Sequence, residues 1–444
     1  MRAFDHPLRS LLHEEVHARP PVALWPKDRL LSQSFLLDAK ARQAQIKWIK
    51  SLSQALKVPS DSAHDQSFKI LELSPAPHRV IIKWELHGEF ASVSAIVQQD
   101  SNLDTPHIGS RPVLEEKIQD LLKTLNVAPI ESSGGLRIAA LDIAFEDRDV
   151  LANAENVSAI FNGNTLLGSF ILATKKAQMW TDLQMNQDGF ISYLVAHQGL
   201  GSRQAGRVAR RIIEAETYRM AAMLSFPIAK ELSNPLKKAE SELADLSKEI
   251  SLLQKDPNIQ TEKDGQFLSD LSQLASRTEE WISEYGLRFT ASEAYSQLVE
   301  KNLAELNETS IQGVQTLAEF MDRRFQPAMR TCLWTQRRLK ELSDRISRTT
   351  QTLRTRIEFI NEEQTQALLV SMDKRAKLQL RLQETVEGLS VLVLTYYAVS
   401  LLVYIAKGGK EAGLAISPEI IAAVAAPIIA ALLYFVNKRR ARRH

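Results

Sequence analysis

The chain has 444 residues, enough for more than one domain, and with 44% hydrophobic residues it can bury a sizeable core. Its formal net charge of +2 is nearly balanced, which excludes the strongly basic footprint of a nucleic-acid-binding protein. The single cysteine, Cys332, excludes an intrachain disulfide and fits a reducing compartment.

The opening Met1-Arg2-Ala3-Phe4-Asp5-His6-Pro7 lacks the continuous apolar run of a secretory signal, so membrane insertion is expected to depend on apolar segments further on. Residues 8–16 read as a short helix ended by Arg19-Pro20-Pro21, because a residue before proline is pushed out of the α region. Within it, His13-Glu14-Glu15-Val16-His17 sets two histidines one turn apart with Glu14 available as a base, the pattern of a zinc metalloprotease. Such an enzyme needs a third ligand and a cleft beside a buried helix, and His64, His78, His87, His107 and His197 offer no recognisable spacing. His13 and His17 are therefore weak metal candidates, the protease reading through His13, Glu14 and His17 is remote, and no cofactor is expected.

A second helix is expected over 36–56, followed by strands at 68–73, 79–86 and 89–97, the last two turned at His87-Gly88. Pro112 opens a helix to about 125, and Ser132-Ser133-Gly134-Gly135 reads as a turn, with nothing around it resembling a P-loop. The runs 136–145, 157–161, 166–173, 178–184 and 190–195 cluster β-formers around Asn162-Gly163 and Asp188-Gly189 turns. Strands gathered in the first half and helices in the second predict an α+β fold, with an α+β domain over 1–200.

Helix dominates from Ser202, a candidate N-cap. The basic run from Arg203 to Arg211 reads as a solvated face pairing with Glu214 and Glu216. Pro227 is expected to kink or end this helix, and further helices are expected over 235–253 and 267–306, the latter broken near Gly286. A polar gap over 255–265 separates these arms, and the helical hairpin region covers 201–326.

A stalk helix is predicted over 327–387, running on into a transmembrane helix over 388–406; to residue 406 it would be roughly 120 Å long. Leu339, Leu342, Ile346, Leu353, Ile357 and Ile360 recur along it at helical steps. A lone helix cannot bury that stripe, so its partners are either other helices of the chain or copies of itself in a coiled coil. An outer loop over 407–419, a second transmembrane helix over 420–436 and a basic tail over 437–444 follow. Lys374, Arg375, Lys377 and Arg381 precede the first span and five basic residues follow the second, against Lys407 and Lys410 between them. This bias predicts a multi-pass protein of the lipid bilayer with both termini cytoplasmic. In the first span Ser390, Val393, Tyr397, Ser400 and Tyr404 share one face, either a pore lining or a packing seam. Lys407, Lys410 and Glu419 are the outer-loop candidates.

The blocks Glu15-Val16-His17-Ala18-Arg19-Pro20, Lys83-Trp84-Glu85-Leu86-His87-Gly88-Glu89-Phe90, Glu216-Thr217-Tyr218-Arg219, Arg323-Arg324 with Pro327-Ala328-Met329-Arg330-Thr331-Cys332, and the run from Leu380 to Ser390 with Tyr396-Tyr397 resemble those of a bacterial family of uncharacterised membrane-anchored proteins. That resemblance implies anchoring at the inner membrane and brings no activity with it. The order of domain, helix pair, stalk, two spans and basic tail is similar to the CorA-type divalent-cation transporters, which are pentamers around the first span. Pro418-Glu419-Ile420 is similar to that superfamily's acidic loop. Their Gly-Met-Asn motif is replaced here by Tyr404-Ile405-Ala406-Lys407-Gly408-Gly409-Lys410, so the selectivity ring at that motif has no counterpart. The architectural resemblance implies a homo-oligomeric, pentameric ion channel or transporter of unspecified substrate and not an enzyme. The alternative is a membrane-tethered oligomeric sensor or scaffold without transport activity.

Overall fold

The computed structural model describes residues 6, 8–9, 12–13, 20–58, 67–74, 78–99, 111–147, 154–253, 260–411 and 417–441. The chain divides into two units, Met1–Pro257 with Ser269–Ser347, and Asn258–Leu268 with Arg348–His444.

The first unit is α+β. Its strands are β1 (Arg29–Leu36), β2 (Phe68–Ser74), β3 (His78–Leu86), β4 (Phe90–Gln99), β5 (Leu136–Asp147), β6 (Leu167–Ile171), β7 (Ala177–Met185), β8 (Ile191–His197) and β9 (Thr309–Ser310). They form one sheet in the order β2-β3-β4-β1-β5-β8-β7-β6-β9. β5 and β8 run parallel and the other neighbours antiparallel. β1 explains how the sheet is covered on both sides. Leu31 and Phe35 alternate onto one face, beneath α1 (Ala39–Ala55) and α2 (Arg111–Thr124), and join a core with Trp48, Leu52, Ile82, Trp84, Leu114 and Ile118. Asp38 caps α1 by accepting from the Ala41 amide at 2.6 Å. The Trp84 indole, buried in this core, donates to Gln45 at 2.9 Å, which in turn donates to Ser133 Oγ at 2.7 Å.

Several expectations are corrected here. The helix expected from residue 36 starts at Ala39, and the residues before it form the unexpected strand β1. The strand expected over 157–161 is instead helix α3 (Ala154–Ile160). Val157 and Phe161, four positions apart, both bury against Trp180 and Leu194, which a helical turn achieves and an alternating strand does not.

The helices α4 (Ser202–Met223), α5 (Ser225–Leu253), α6 (Gln260–Leu306), α7 (Leu317–Glu411) and α8 (Pro418–Ala441) complete the described fold. The break before α5 falls at Leu224, so Pro227 sits in the first turn of α5, where its missing N–H has no helical partner to lose. Pro235 lies inside α5 and Gly286 does not interrupt α6. α7 begins at Leu317, ahead of the expected start at 327, and runs through Pro327. Its start is capped twice. Glu308 accepts from the Leu317 and Ala318 amides at 3.2 and 2.8 Å, and Thr316 and Glu319 exchange side-chain bonds with each other's amides. Glu308 also accepts from Ser169 of β6 at 2.5 Å, tying the sheet edge to this helix start.

Within the first unit, α7 packs in a bundle of the chain's own helices. Arg338 donates to Glu240 of α5 at 2.9 and 2.6 Å, and Gln326 and Ser343 donate to Glu300 and Glu279 of α6. Leu339, Leu342 and Ile346 are buried there. This part of the expected stalk stripe is thus an intrachain contact.

In the second unit, α7 from 361 to 386 is exposed throughout. The apolar C-terminal stretch of α7 and the segment Pro418–Val436 of α8 are long and apolar enough to cross a membrane, by length and composition. α7 continues through Lys407 to Glu411 and α8 begins at Pro418, so both ends of the expected outer loop are helical; residues 412–416 lie outside the described residues.

Candidate functional site

The second face of the sheet carries an unusual floor. In the antiparallel register of β1 and β4, Ser32 stands opposite Ser94 and Ser34 opposite Ser92. Their hydroxyls hydrogen-bond in pairs at 2.9 and 2.8 Å, and Ser34 also bonds Thr217 of α4 at 3.0 Å. Where a helix-covered sheet ordinarily presents branched apolar residues, Ser92 and Ser94 of these pairs, with Thr217, line a cavity of 40 Å³ between sheet and α4. That is room for a few waters or a compact solute, at about 10–15 Å³ for each water.

Charged walls flank this floor. From β3, Lys83 pairs with Glu85 at 2.9 Å, both largely buried. From α4, Arg210 pairs with Glu214 at 2.6 Å. Burial lowers the Lys83 pKa against the pull of Glu85, and Arg210 and Glu214 lie near enough to act on it as well. The far end is apolar, formed by Val22, Leu24, Leu30 and Ile96. The segment that supplies Val22 and Leu24 crosses α4 at Gly206, where a Cβ would lie inside the contact radius of the Val22 carbonyl oxygen. It is held by the Leu24 amide donating to the Ser202 carbonyl at 3.0 Å.

An aromatic group closes the other end. His87 stacks on Phe90 with centroids 4.5 Å apart, Phe90 meets Tyr218 edge-on, and Tyr218 stacks on Tyr295 of α6 at 5.6 Å. Glu89, in the β3–β4 turn, accepts from Arg288 at 2.7 Å and from the Tyr295 hydroxyl at 3.1 Å, so this turn is bonded to α6. Burial, then Glu89, raises the Tyr295 pKa. Behind the floor, Glu216 is buried and accepts from Tyr193 at 2.9 Å and from Arg219 at 3.0 and 2.6 Å. Burial, followed by Glu216, holds the Tyr193 hydroxyl well above its usual pKa.

The blocks 83–90 and 216–219, far apart in sequence, therefore meet at one cleft. In the sequence both are marks of family likeness, and nothing local joins them. The available signal was serine alternating with apolar residues in two strands that turn out to be neighbours. The basic run of α4 follows expectation in the Arg210–Glu214 pair, but Arg211 pairs with Glu305 at 3.0 Å and Glu216 is not a solvated partner.

The residues singled out in the first span fall differently. Ser400 and Tyr404 line a groove between α7 and α8 with Lys407, Ala426 and Ala430, while Ser390, Val393 and Tyr397 stand exposed outside it. Glu419 is exposed in the first turn of α8. The backbone of Lys410 is helical, and its side chain is outside the described residues. His13 is helical and exposed, and Glu14 and His17 lie outside the described residues. Among the described residues no group of three His, Cys, Asp or Glu is placed to hold a metal.

Neither a curated protein nor a solved structure matches the chain, so the expected CorA-type resemblance finds no support in these comparisons. Residues 4–444 match a family described as protein of unknown function (DUF3422). Because that match spans nearly every residue, from ahead of the first helix to the basic tail, the chain belongs to the DUF3422 family.

Proposed function

We propose that the protein is a membrane-anchored solute sensor and not an enzyme. The first unit binds a compact polar solute in the cleft between the sheet and α4, and the apolar stretches of α7 and α8 hold the protein in a bilayer. The observation that carries this reading is the hydroxyl floor flanked by two ion pairs. Such a site offers a cation and an anion at once and suits a small zwitterion, for which glycine is the simplest probe. The bonds from Glu89 to Arg288 and Tyr295 give α6 a direct contact with the wall of that cleft. The test is thermal unfolding of the full chain in detergent with glycine and related small zwitterions. A saturable rise in Tm that Ser94→Leu abolishes supports the reading. No saturable shift with any of them would sink it.

The anchor's orientation follows the basic residues, with both ends of the hairpin on the cytoplasmic side. Ser417→Cys should react with an impermeant thiol reagent in intact cells, and labelling only after lysis would reverse the assignment. A second reading, an oligomeric channel, is favoured by the hydroxyl-bearing Tyr397 and Tyr404, exposed on the first span. Potassium, magnesium and zinc flux into liposomes, measured for the parent and Tyr397→Ala, decides it. Absence of flux in both removes the channel.

A further inference from the structure

From residue 364, just past Glu362 of the same phase, the exposed part of α7 carries one continuous uncharged stripe that crosses from water into the apolar span. A heptad can be laid on residues 364–387 in seven registers. The charged residues Asp373, Lys374, Arg375, Lys377, Arg381, Glu384 and Glu387 break six of them at an a or d position. The remaining register runs through Leu369, Met372, Ala376, Gln379, Gln383 and Val386. Extended without a phase change, it continues through Ser390, Val393, Tyr397, Ser400 and Tyr404. Leu369, Met372, Val386, Tyr397 and Tyr404 each leave more than half of their surface exposed, at 58, 58, 62, 66 and 73%.

The side of α7 that meets α8 is a different one. Val391, Thr395, Ala398, Val399 and Val403, with Ser400 at the edge, are half-buried and Ala406 is buried. Ala406 lies nine positions on from Tyr397, which at about 100° per residue is half a turn around the helix. The stripe and the α8 contact thus occupy opposite sides of α7, and only Ser400 and Tyr404 reach the edge of the groove between the two helices.

The geometry points to a second copy of this chain as what covers the stripe, in parallel and in register, with α8 on the outside. Two observations choose that occupant over lipid or another protein. Ser390 already donates to the Val386 carbonyl of its own helix at 2.9 Å, but Tyr397, exposed within the span, is a polar group that in a bilayer turns toward protein, so the span half of the stripe calls for a protein partner there. In water, Leu369, Met372 and Val386 call for an apolar partner at the same phase of the same helix. One partner meets both needs only if its own helix changes from apolar-with-amide to hydroxyl-bearing at the same height above the bilayer. The same stretch in another copy does this by construction, since the membrane sets its height. Gln379 and Gln383, mid-seam amides, would bond across the copies and fix the register, as a single polar a-position residue does in coiled coils. This contact requires neither a solute in the cleft nor a pore.

Disulfide trapping in native membranes tests it, with the full chain and its buried Cys332 kept. Met372→Cys, Gln379→Cys, Val386→Cys and Val393→Cys should each give a band at twice the monomer mass on oxidation with copper phenanthroline. Lys374→Cys and Arg381→Cys, on the far side of the helix, and Leu392→Cys in the span should not. Bands of equal strength on and off the stripe, or none on it, overturn the proposal. Oligomeric mass in detergent supplies the second measurement. Ala376→Glu should release monomer from an oligomeric parent, and a monomeric parent or an Ala376→Glu variant of unchanged mass also overturns it.

Discussion

The cleft under α4 and the bare length of α7 treat polar and apolar groups in opposite ways. Under α4, polar residues are buried and nearly all answered within one chain: serine by serine across β1 and β4, Lys83 by Glu85, Glu216 by Tyr193 and Arg219. Along 361–386, apolar residues stand exposed and are covered by nothing among the described residues. Burial without a partner is costly for polar groups, and exposure in quantity is costly for apolar ones, so the first region is satisfied by its own contacts and the second is where we propose a further chain. The difference identifies where to look for a small ligand and where to look for another chain.

The comparison breaks most visibly at the buried pair of the first region. Arg29 donates to both carboxylate oxygens of Asp142, at 2.8 and 2.7 Å, with both side chains almost fully buried. Burial raises the Asp142 pKa and Arg29, with Arg111 further off, opposes it, so Arg29→Met leaves a buried carboxylate without its hydrogen-bonded partner. The expected loss is about 3–5 kcal/mol, read by urea unfolding followed through tryptophan fluorescence. A loss well under that range would show that the pair is not a keystone of the sheet.

Gly206→Ala comes next. Its methyl group meets backbone, the Val22 carbonyl oxygen, which cannot rotate away as a side-chain tip would. A cost of about 1–3 kcal/mol is expected, together with loss of any solute-induced Tm shift. A variant that keeps both stability and shift would mean that the segment crossing α4 is not a wall of the cleft.

A smaller, pH-dependent effect sits at His197, whose ring nitrogens are both buried without a hydrogen-bond partner among the described residues. Burial lowers its pKa from 6.5. Above that value the ring is neutral in both folded and unfolded chain and contributes no slope. Below it the unfolded chain binds the proton first, so stability falls with falling pH, by at most about 1.4 kcal/mol per unit. Denaturation measured from neutral pH downward should show this slope flattened in His197→Phe. An unchanged slope would assign the acid sensitivity to other groups.

The smallest effect belongs to the second region. Lys377 and Asp373 form an exposed i,i+4 pair at 2.7 Å on α7, off the uncharged stripe. Asp373→Ala should change stability by less than about 0.5 kcal/mol and leave oligomeric mass alone. A change in mass would put the copy-to-copy contact on the charged side.

What could be read from the sequence follows the same division. The β3–β4 hairpin, the α+β order and the apolar stretches were legible because periodicity and turn residues there agree with the final environment. β1 was missed because its cleft face carries Ser32 and Ser34, which resemble a solvated face until α4 covers them. α3 was misread because Val157, Ile160 and Phe161 favour strands by type while their spacing is helical. The cleft draws on β1, β3, β4, α4 and the segment ahead of β1, and no local spacing announces a site assembled from pieces so far apart. The Tyr397 face was visible as a stripe, whereas its opposition to α8 needed coordinates.

The last strand of the sheet has a consequence for synthesis. β9 pairs with β6 at the sheet edge, yet Thr309 is made long after β8 ends at His197, with α4, α5 and α6 between them. At about 5–20 residues per second, the ribosome takes on the order of ten seconds to cover that gap. Throughout it β6 offers unpaired backbone to any passing strand. A fragment ending before Thr309 would keep that edge open permanently, so truncations of this protein should be judged by whether they retain the Thr309–Ser310 strand and the Glu308 carboxylate that pins it.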